Sequence, residues 1–225
     1  MMQLFVFDLA GTTVKDDHDV SRVLRDTLLD YRIFITMEEA DSVMGIPKPE
    51  AIRYLLTIQQ DPRSNDSEFV DEVHSAFVSE MVNFYQTNLN VGEKDGVSEL
   101  FSSLRGKGIR VVVDTGFDRV ITDALLARLG WKRRRLIDGS VTSDEVANGR
   151  PHPDMIFEAM RMTGVTNSAS VAKVGDTVVD LLQGNAAGCH YVVGITSGAC
   201  SIDKLQATPH THLFSDVRSV ISLLN

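Results

Sequence analysis

Cysteine is scarce in this chain: Cys189 and Cys200 are the only two in 225 residues. Their separation fits neither a zinc-ligand nor a redox spacing, so a disulfide framework is not the organising principle. Two free thiols in a reducing compartment are expected, and the cytoplasm is the expected location. Positive charge is also in short supply. Twenty-two Lys and Arg stand against 31 Asp and Glu, a net charge of −9. No surplus of cations is left for a phosphate backbone, so general nucleic-acid binding is not expected. The one basic run, Lys132-Arg133-Arg134-Arg135, follows Gly130-Trp131 and reads as a solvated turn at a helix end, where cations suit the dipole. No apolar run approaches 18 residues, no basic-then-apolar leader precedes Leu4, and neither a repeat nor a low-complexity tract is visible. No membrane partner is therefore expected.

What remains is an ordinary globular composition, 43% hydrophobic and 24% charged, in a chain long enough for one domain plus an insertion. Its most informative segment is Leu4-Phe5-Val6-Phe7-Asp8-Leu9-Ala10-Gly11-Thr12-Thr13-Val14. An apolar run of this kind reads as a parallel strand buried on both faces. Asp8 then stands at the carboxyl end of the strand, where open α/β sheets bind their ligands, and Gly11 permits a sharp turn beyond it. Such a carboxylate is a nucleophile, a metal ligand, or both; the plainer alternative is an Asp that starts a turn.

Lys15 to Asp19 is a polar, charged hinge, and from about Val20 to Asn88 the pattern becomes helical. Val20, Val23, Leu24, Thr27 and Leu28 make one face; Ile52, Leu55, Leu56 and Gln59 a second; Phe69, Val73, Phe77, Met81 and Phe84 a third. From about Val91 helices and strands alternate, with strands expected at Ile109–Val113, around Leu136, at Val171–Val174 and at Tyr191–Ile195. Repeated βαβ units imply a parallel sheet with helices on both faces. Residues 1–15 and 90–225 are expected to form this α/β core, and residues 16–89 a small all-helical cap, with the site in the cleft between them.

Three more segments carry chemistry. Val111-Val112-Val113-Asp114-Thr115-Gly116 is a strand ending in a hydroxyl and a glycine. Gly149-Arg150-Pro151-His152-Pro153-Asp154 sets a cation before a helix. Lys173-Val174-Gly175-Asp176-Thr177-Val178-Val179-Asp180 ends a strand in one carboxylate and adds another four residues on. Nucleophile, hydroxyl, cation and acidic pair, in that order, resemble the haloacid dehalogenase superfamily of phosphoryl-transfer enzymes. The resemblance implies a Rossmann-like core and an aspartyl-phosphate intermediate on Asp8. It also implies Mg²⁺ held by the Asp8 carboxylate, the Ala10 carbonyl and Asp176. Thr115, Gly116 and Arg150 would grip the phosphoryl oxygens, helped by the Gly11-Thr12 turn. Thr115 could equally be a helix N-cap. Asp180 would support the metal site or serve the first turn of its helix.

Ala10 is distinctive, because phosphatases of the superfamily usually carry there a second Asp that protonates the leaving group. With Phe7-Asp8-Leu9-Ala10-Gly11-Thr12-Thr13-Val14 and Met44-Gly45-Ile46-Pro47-Lys48-Pro49-Glu50, the chain resembles the phosphonatase-like, or phosphonoacetaldehyde hydrolase, branch. That branch cleaves a carbon–phosphorus bond through an imine on a cap lysine, which falls on Lys48 here, with Met44 and Gly45 in the same motif. The residues alone place Pro49 at the first helical position and Lys48 at a helix N-terminus, where the dipole and desolvation favour a neutral amine; the plainer alternative is a surface lysine in a proline-rich turn. Two positions depart from the branch: Ala51 stands where it has a histidine, and Asp114 where it tends to have a hydroxyl. His18, His74, His152 and His190 are the nominal substitutes. The substrate implied is a small phosphonate aldehyde, or alternatively an activated phosphoester or acyl phosphate; a phospho-ligand binding protein is the less favoured reading. His210 and His212 read as an ordinary turn into the last strand. A homodimer is left open.

Overall fold

The computed structural model describes residues 1–224. Leu4, Phe5, Val6 and Phe7 are fully buried and form β1 (Leu4–Asp8), a strand covered on both faces and therefore without a polar member before Asp8. With it, β2 (Arg110–Thr115), β3 (Gly139–Thr142), β4 (Val171–Gly175), β5 (Tyr191–Ile195) and β6 (His212–Phe214) make a six-stranded sheet in the order β3-β2-β1-β4-β5-β6. Every pairing is parallel, and the register sets Asp8 beside Asp114 and Phe7 beside Val174. The strand order reverses direction at β1, which opens a crevice at the carboxyl ends of β1, β2 and β4.

Helices α5 (Val97–Gly106), α6 (Arg119–Leu129), α7 (Asp154–Thr163), α8 (Val178–Ala186) and α9 (Ile202–Gln206) surround this Rossmann-like sheet. Strand alternation sorts the side chains. Phe5, Phe7, Val111, Val113, Ala172 and Val174 pack on the α5 face, whereas Leu4, Val6, Val112 and Val171 pack on Met155, Ile156 and Ala159 of α7. Asp8, Asp114 and Lys173 share the parity of the α7 face.

The insertion between β1 and β2 is helical: α1 (Asp19–Asp30), α2 (Met37–Ser42), α3 (Lys48–Ile58) and α4 (Ser67–Thr87), with a 3₁₀ turn at Pro62–Asn65. The outgoing and returning chains are tied together, Lys15 N–H donating to Gly92 O and Lys94 N–H to Thr13 O. The buried side of α1 is Val20, Leu24, Thr27 and Leu28, with Val23 half-buried. Ile52, Leu55 and Leu56 of α3 are buried, but Gln59 is the exposed C-cap. On α4 the stripe is Val70, Val73, Phe77, Met81 and Tyr85, while Phe69 and Phe84 sit at its margin. Steps of four rotate about 40° each around a helix, so a stripe read in fours drifts off the buried side.

Two boundaries differ from expectation. The strand expected around Leu136 begins at Gly139. The turn after α6 runs through the exposed Lys132–Arg135, with Arg135 in the left-handed region and Leu136 N–H bonded to Trp131 O. Leu136 is thus a buried anchor of the turn. Helix α3 begins at Lys48 with Pro47 as N-cap, so Pro49 takes the second helical position, not the first.

Candidate active site

The turn after β1 is wound on one carbonyl. Leu9 O accepts the amides of Thr12, Thr13 and Val14 at 3.2, 2.9 and 2.8 Å, and Thr13 Oγ1 donates to Asp8 O at 2.7 Å. Gly11 has φ +82°, and a Cβ there would stand 2.4 Å from Asp176 Oδ2, so both backbone and space demand glycine. Asp176, just past β4, is fully buried. Thr12 Oγ1 donates to its Oδ1 at 2.6 Å and Ala199 N–H to its Oδ2 at 2.7 Å. Lys94 Nζ ties the turn after β1 to the loop after β5 that carries Ala199, donating to Gly11 O and to Ser197 O.

On the α7 face a buried ionic cluster lies under the crevice. Arg150 Nη1 donates to Asp8 Oδ1 at 2.7 Å, and Nη2 to Asp114 Oδ1 at 2.7 Å and Asp114 O at 2.8 Å. Lys173 Nζ pairs with Asp114 and, at 3.0 Å, with Asp180 Oδ1, which also lies 3.0 Å from Arg150 Nη1. Asp180 Oδ2 closes a capping box with Thr177 at the start of α8. Asp180 therefore both caps its helix and fixes Arg150. Burial pushes its carboxyl up, but Arg150, Lys173 and Thr177 outweigh burial and hold it below the usual range.

From the insertion comes Lys48, whose side chain is buried with Nζ 6.0 Å from the Phe77 ring and 5.6 Å from the Phe117 ring. No carboxylate among the described residues pairs with it. Burial, and then Arg150, lower its pKa to about 8 against the pull of Asp16, Asp8 and Asp118. The loop before α3 reaches the core through glycines. Gly45, at φ +87°, would place a Cβ 2.6 Å from Thr177 Oγ1; Gly116 would place one 3.0 Å from the Gly45 and Ile46 carbonyls. Asp8, Ala10, Met44, Gly45, Lys48, Thr115, Gly116 and Arg150, all expected at the site, line one cleft together with Asp16. Thr115 Oγ1 accepts the Phe117 amide at 3.2 Å. The N-cap of α6 is Asp118, so the N-cap alternative for Thr115 does not hold.

The donor set fits a hard dication. Asp8 is pushed well above the carboxylate range by burial, with Asp180 and Asp176 adding to the effect and Arg150 opposing it. Asp176 is pushed up to about 6, by burial first and Asp180 second. The Ala10 carbonyl accepts no hydrogen bond among the described residues. Carboxylate oxygens of Asp8, Asp114 and Asp180 lie within 4.8 Å of one another, but Arg150 and Lys173 already bridge them. Asp176 is paired with no cation among the described residues, and Asp8 only with Arg150. Residues Asp8, Ala10 and Asp176 are thus the ones that would hold Mg²⁺.

Several of these contacts were not anticipated from the sequence. Lys173 carried a signal, a lysine inside an otherwise apolar strand; Lys94 and the Phe77–Phe117 box carried none. Among the described residues no histidine lines the cleft. His18 pairs with Asp41 and His74 with Asp118, and the position one turn beyond Lys48 is the fully buried Ala51.

Comparison with known proteins gives a consistent picture. The chain matches the haloacid dehalogenase-like hydrolase family over residues 5–193. It is 30% identical over 210 residues to the phosphonoacetaldehyde hydrolase of Bacillus cereus (strain AH187), spanning 89% of this chain and 78% of that one. A phosphonoacetaldehyde hydrolase-like protein from Oleispira antarctica superposes with a TM-score of 0.82 at 20% identity, over 99% of this chain and 91% of that one. A hydrolase from Pseudomonas syringae superposes with a TM-score of 0.86 at 18% identity, over 99% and 98% of the two chains. Among the described residues no helix is long and apolar enough to cross a membrane.

Proposed function

The chain belongs to the haloacid dehalogenase-like hydrolases, and within that family we propose that it cleaves the carbon–phosphorus bond of phosphonoacetaldehyde or a related carbonyl phosphonate. The observation that carries this reading is Lys48. Its amine is buried, lacks a carboxylate partner, has a pKa lowered to about 8, and lines the same cleft as Asp8. An amine so placed is neutral for a useful fraction of the time near pH 7 to 8 and can add to an aldehyde. The resulting iminium accepts the carbon–phosphorus electron pair as Asp8 attacks phosphorus. Water then hydrolyses the aspartyl phosphate, and the enamine left on Lys48 takes a proton at carbon to return to the iminium, which water hydrolyses to free the amine and the aldehyde.

The remaining residues position these groups. Arg150, held by Asp114 and Asp180, orients Asp8 and offers its guanidinium to the phosphoryl oxygens. Thr115 and Gly116 supply donors at the end of β2, and Gly11 and Thr12 hold Asp176 in place. Mg²⁺ bound by Asp8, the Ala10 carbonyl and Asp176 would neutralise phosphoryl charge. Residues 16–89 act as the cap that carries Lys48, Met44 and Gly45 over the core formed by 1–15 and 90–225. An alkoxide leaving group needs a proton and an enamine does not, which accounts for Ala10 in place of a general acid.

The second reading, a phosphatase for small phosphoesters or acyl phosphates with good leaving groups, draws support from Ala51. Borohydride trapping with phosphonoacetaldehyde separates the two. On the first reading an adduct forms at residue 48, and Lys48→Arg abolishes both adduct and carbon–phosphorus cleavage, because guanidinium stays protonated. If Lys48→Arg merely lowers all turnover by one modest factor and no adduct forms in the wild type, the phosphatase reading replaces it.

A further inference from the structure

Among the described residues that line the cleft, only Asp8 and Asp16 carry carboxylates. Asp16 lies where the chain leaves the core for α1. Its partners are backbone amides of the first turn, Val20 N–H at 3.2 Å and that of Asp19, and not a cation. His18, at the N-cap position of α1, makes no side-chain cap bond. The helix start thus holds the Asp16 carboxyl at the edge of the cleft. It is half-buried, and Lys48 feels its charge.

The cleft needs a proton carrier. Ala10 cannot donate a proton and Ala51 cannot exchange one. His74, the histidine on α4, is engaged with Asp118 and does not line the cleft. We propose that Asp16 is the proton-transfer residue of this site, a carboxyl that gives a proton to the substrate oxygen on the cap side and takes it back. The inference rests on the cleft being the substrate site, as proposed above, but not on the imine.

With an aldehyde, the neutral Lys48 nitrogen forms a bond to the carbonyl carbon. The carbonyl π pair moves to oxygen, which takes the Asp16 proton. The Asp16 carboxylate then removes a proton from the new ammonium. In the last step it returns that proton to the carbinolamine hydroxyl as the carbon–oxygen bond breaks. Water leaves carrying both protons that passed through Asp16, the nitrogen lone pair closes the C=N bond, the iminium keeps one of the original amine hydrogens, and Asp16 ends as carboxylate. With a phosphoester, Asp8 forms the oxygen–phosphorus bond while the ester bond breaks. The leaving oxygen keeps the electron pair and takes the Asp16 proton.

Burial raises the Asp16 pKa, and Asp19 adds to this; the amides of Val20 and Asp19, with His18, oppose it. Its charge also acts on Lys48 from α3, Tyr85 from α4 and Lys94 from the returning chain, and Asp8 lines the same cleft. Loss of its proton at higher pH should remove donor activity.

The test is Asp16→Asn, which keeps an oxygen for the Val20 amide but carries no exchangeable acid proton. Two rates are followed against pH: borohydride-trapped adduct at Lys48 with phosphonoacetaldehyde, and hydrolysis of aryl phosphates whose phenols span weak to strong acids. The expected result is a fall of ~10²-fold or more in trapping, with loss of the pH limb assigned to Asp16. For the aryl series the defect should grow as the phenol becomes less acidic. A defect equal for all phenols, or trapping at the wild-type rate, makes Asp16 a helix cap only and overturns the inference. If the wild type forms no adduct, the imine fails and the aryl series alone decides the role of Asp16. If the wild type turns over neither substrate, the inference falls with the substrate site.

Discussion

Lys48 brings a primary amine into an apolar box between Phe77 and Phe117, and the fold bears the consequence. Its pKa falls from 10.5 to about 8, so at pH 7 the protonated form is disfavoured in the folded state by about 3 kcal/mol. The sign follows from proton counts. Between pH 8 and 10.5 the unfolded chain binds more protons than the folded one, so stability rises with pH across that window and the penalty is full below it. Lys48→Met, which keeps the length and removes the charge, should therefore raise unfolding stability at pH 7 by a few kcal/mol in urea titration. The gain should shrink as pH approaches 10. An unchanged or lowered stability would contradict the desolvated amine. On the function proposed above, the reactivity of Lys48 is obtained against stability.

At the scale of elements, the loop joining α2 to α3 decides whether Lys48 reaches Asp8. Gly45 has a left-handed φ of +87° and touches Thr177 and Val179 at the start of α8, where a Cβ would sit within 2.7 Å of Val179 Cγ2. Gly45→Ala should displace this loop from the core, and Lys48 with it. The expected outcome is a fall of at least tenfold in kcat/KM with a small loss of thermal stability, read by steady-state kinetics and a melting curve. Gly106→Ala, at the end of α5 where a Cβ would meet nothing within 4 Å, is the control and should leave kinetics as they are. The Gly45 motif was legible in the sequence, but its partner was not. Thr177 and Val179 lie more than a hundred residues away, and only the packing of the insertion on the core brings the three together.

For the molecule as a whole, charge is unevenly neutralised. Buried Asp8, Asp114 and Asp180 pair with the buried cations Arg150 and Lys173, whereas buried Asp176 pairs with none among the described residues, and the carboxyls of Asp8 and Asp176 are both pushed up. Binding a dication to the folded state alone stabilises by ~2.7 kcal/mol at a hundredfold excess over Kd. Mg²⁺ should therefore raise the Tm by several degrees. The shift should vanish in Asp176→Asn, and chelation should remove activity that Mg²⁺ restores better than Ca²⁺, whose shell is larger and looser. A Tm indifferent to Mg²⁺, or full turnover in excess chelator, would contradict the assignment.

The sequence by itself determined the parallel α/β architecture, the helical insertion after β1, and the placing of Asp8, Thr115 and Asp176 at strand ends. These follow from local pattern: apolar runs that end in a polar residue, glycines at turns, and strand–helix alternation along the chain. Tertiary structure alone decided which charges neutralise one another. Asp114 marries Lys173 and Arg150 because β1 places β2 and β4 on either side of itself, a long-range fact with no local signature. It also decided that Lys48 is buried and Asp16 faces the cleft. Burial of a side chain is set by the segments that cover it. A lysine in a proline-rich turn and an aspartate before a helix look the same in sequence whether solvent or another part of the chain lies against them.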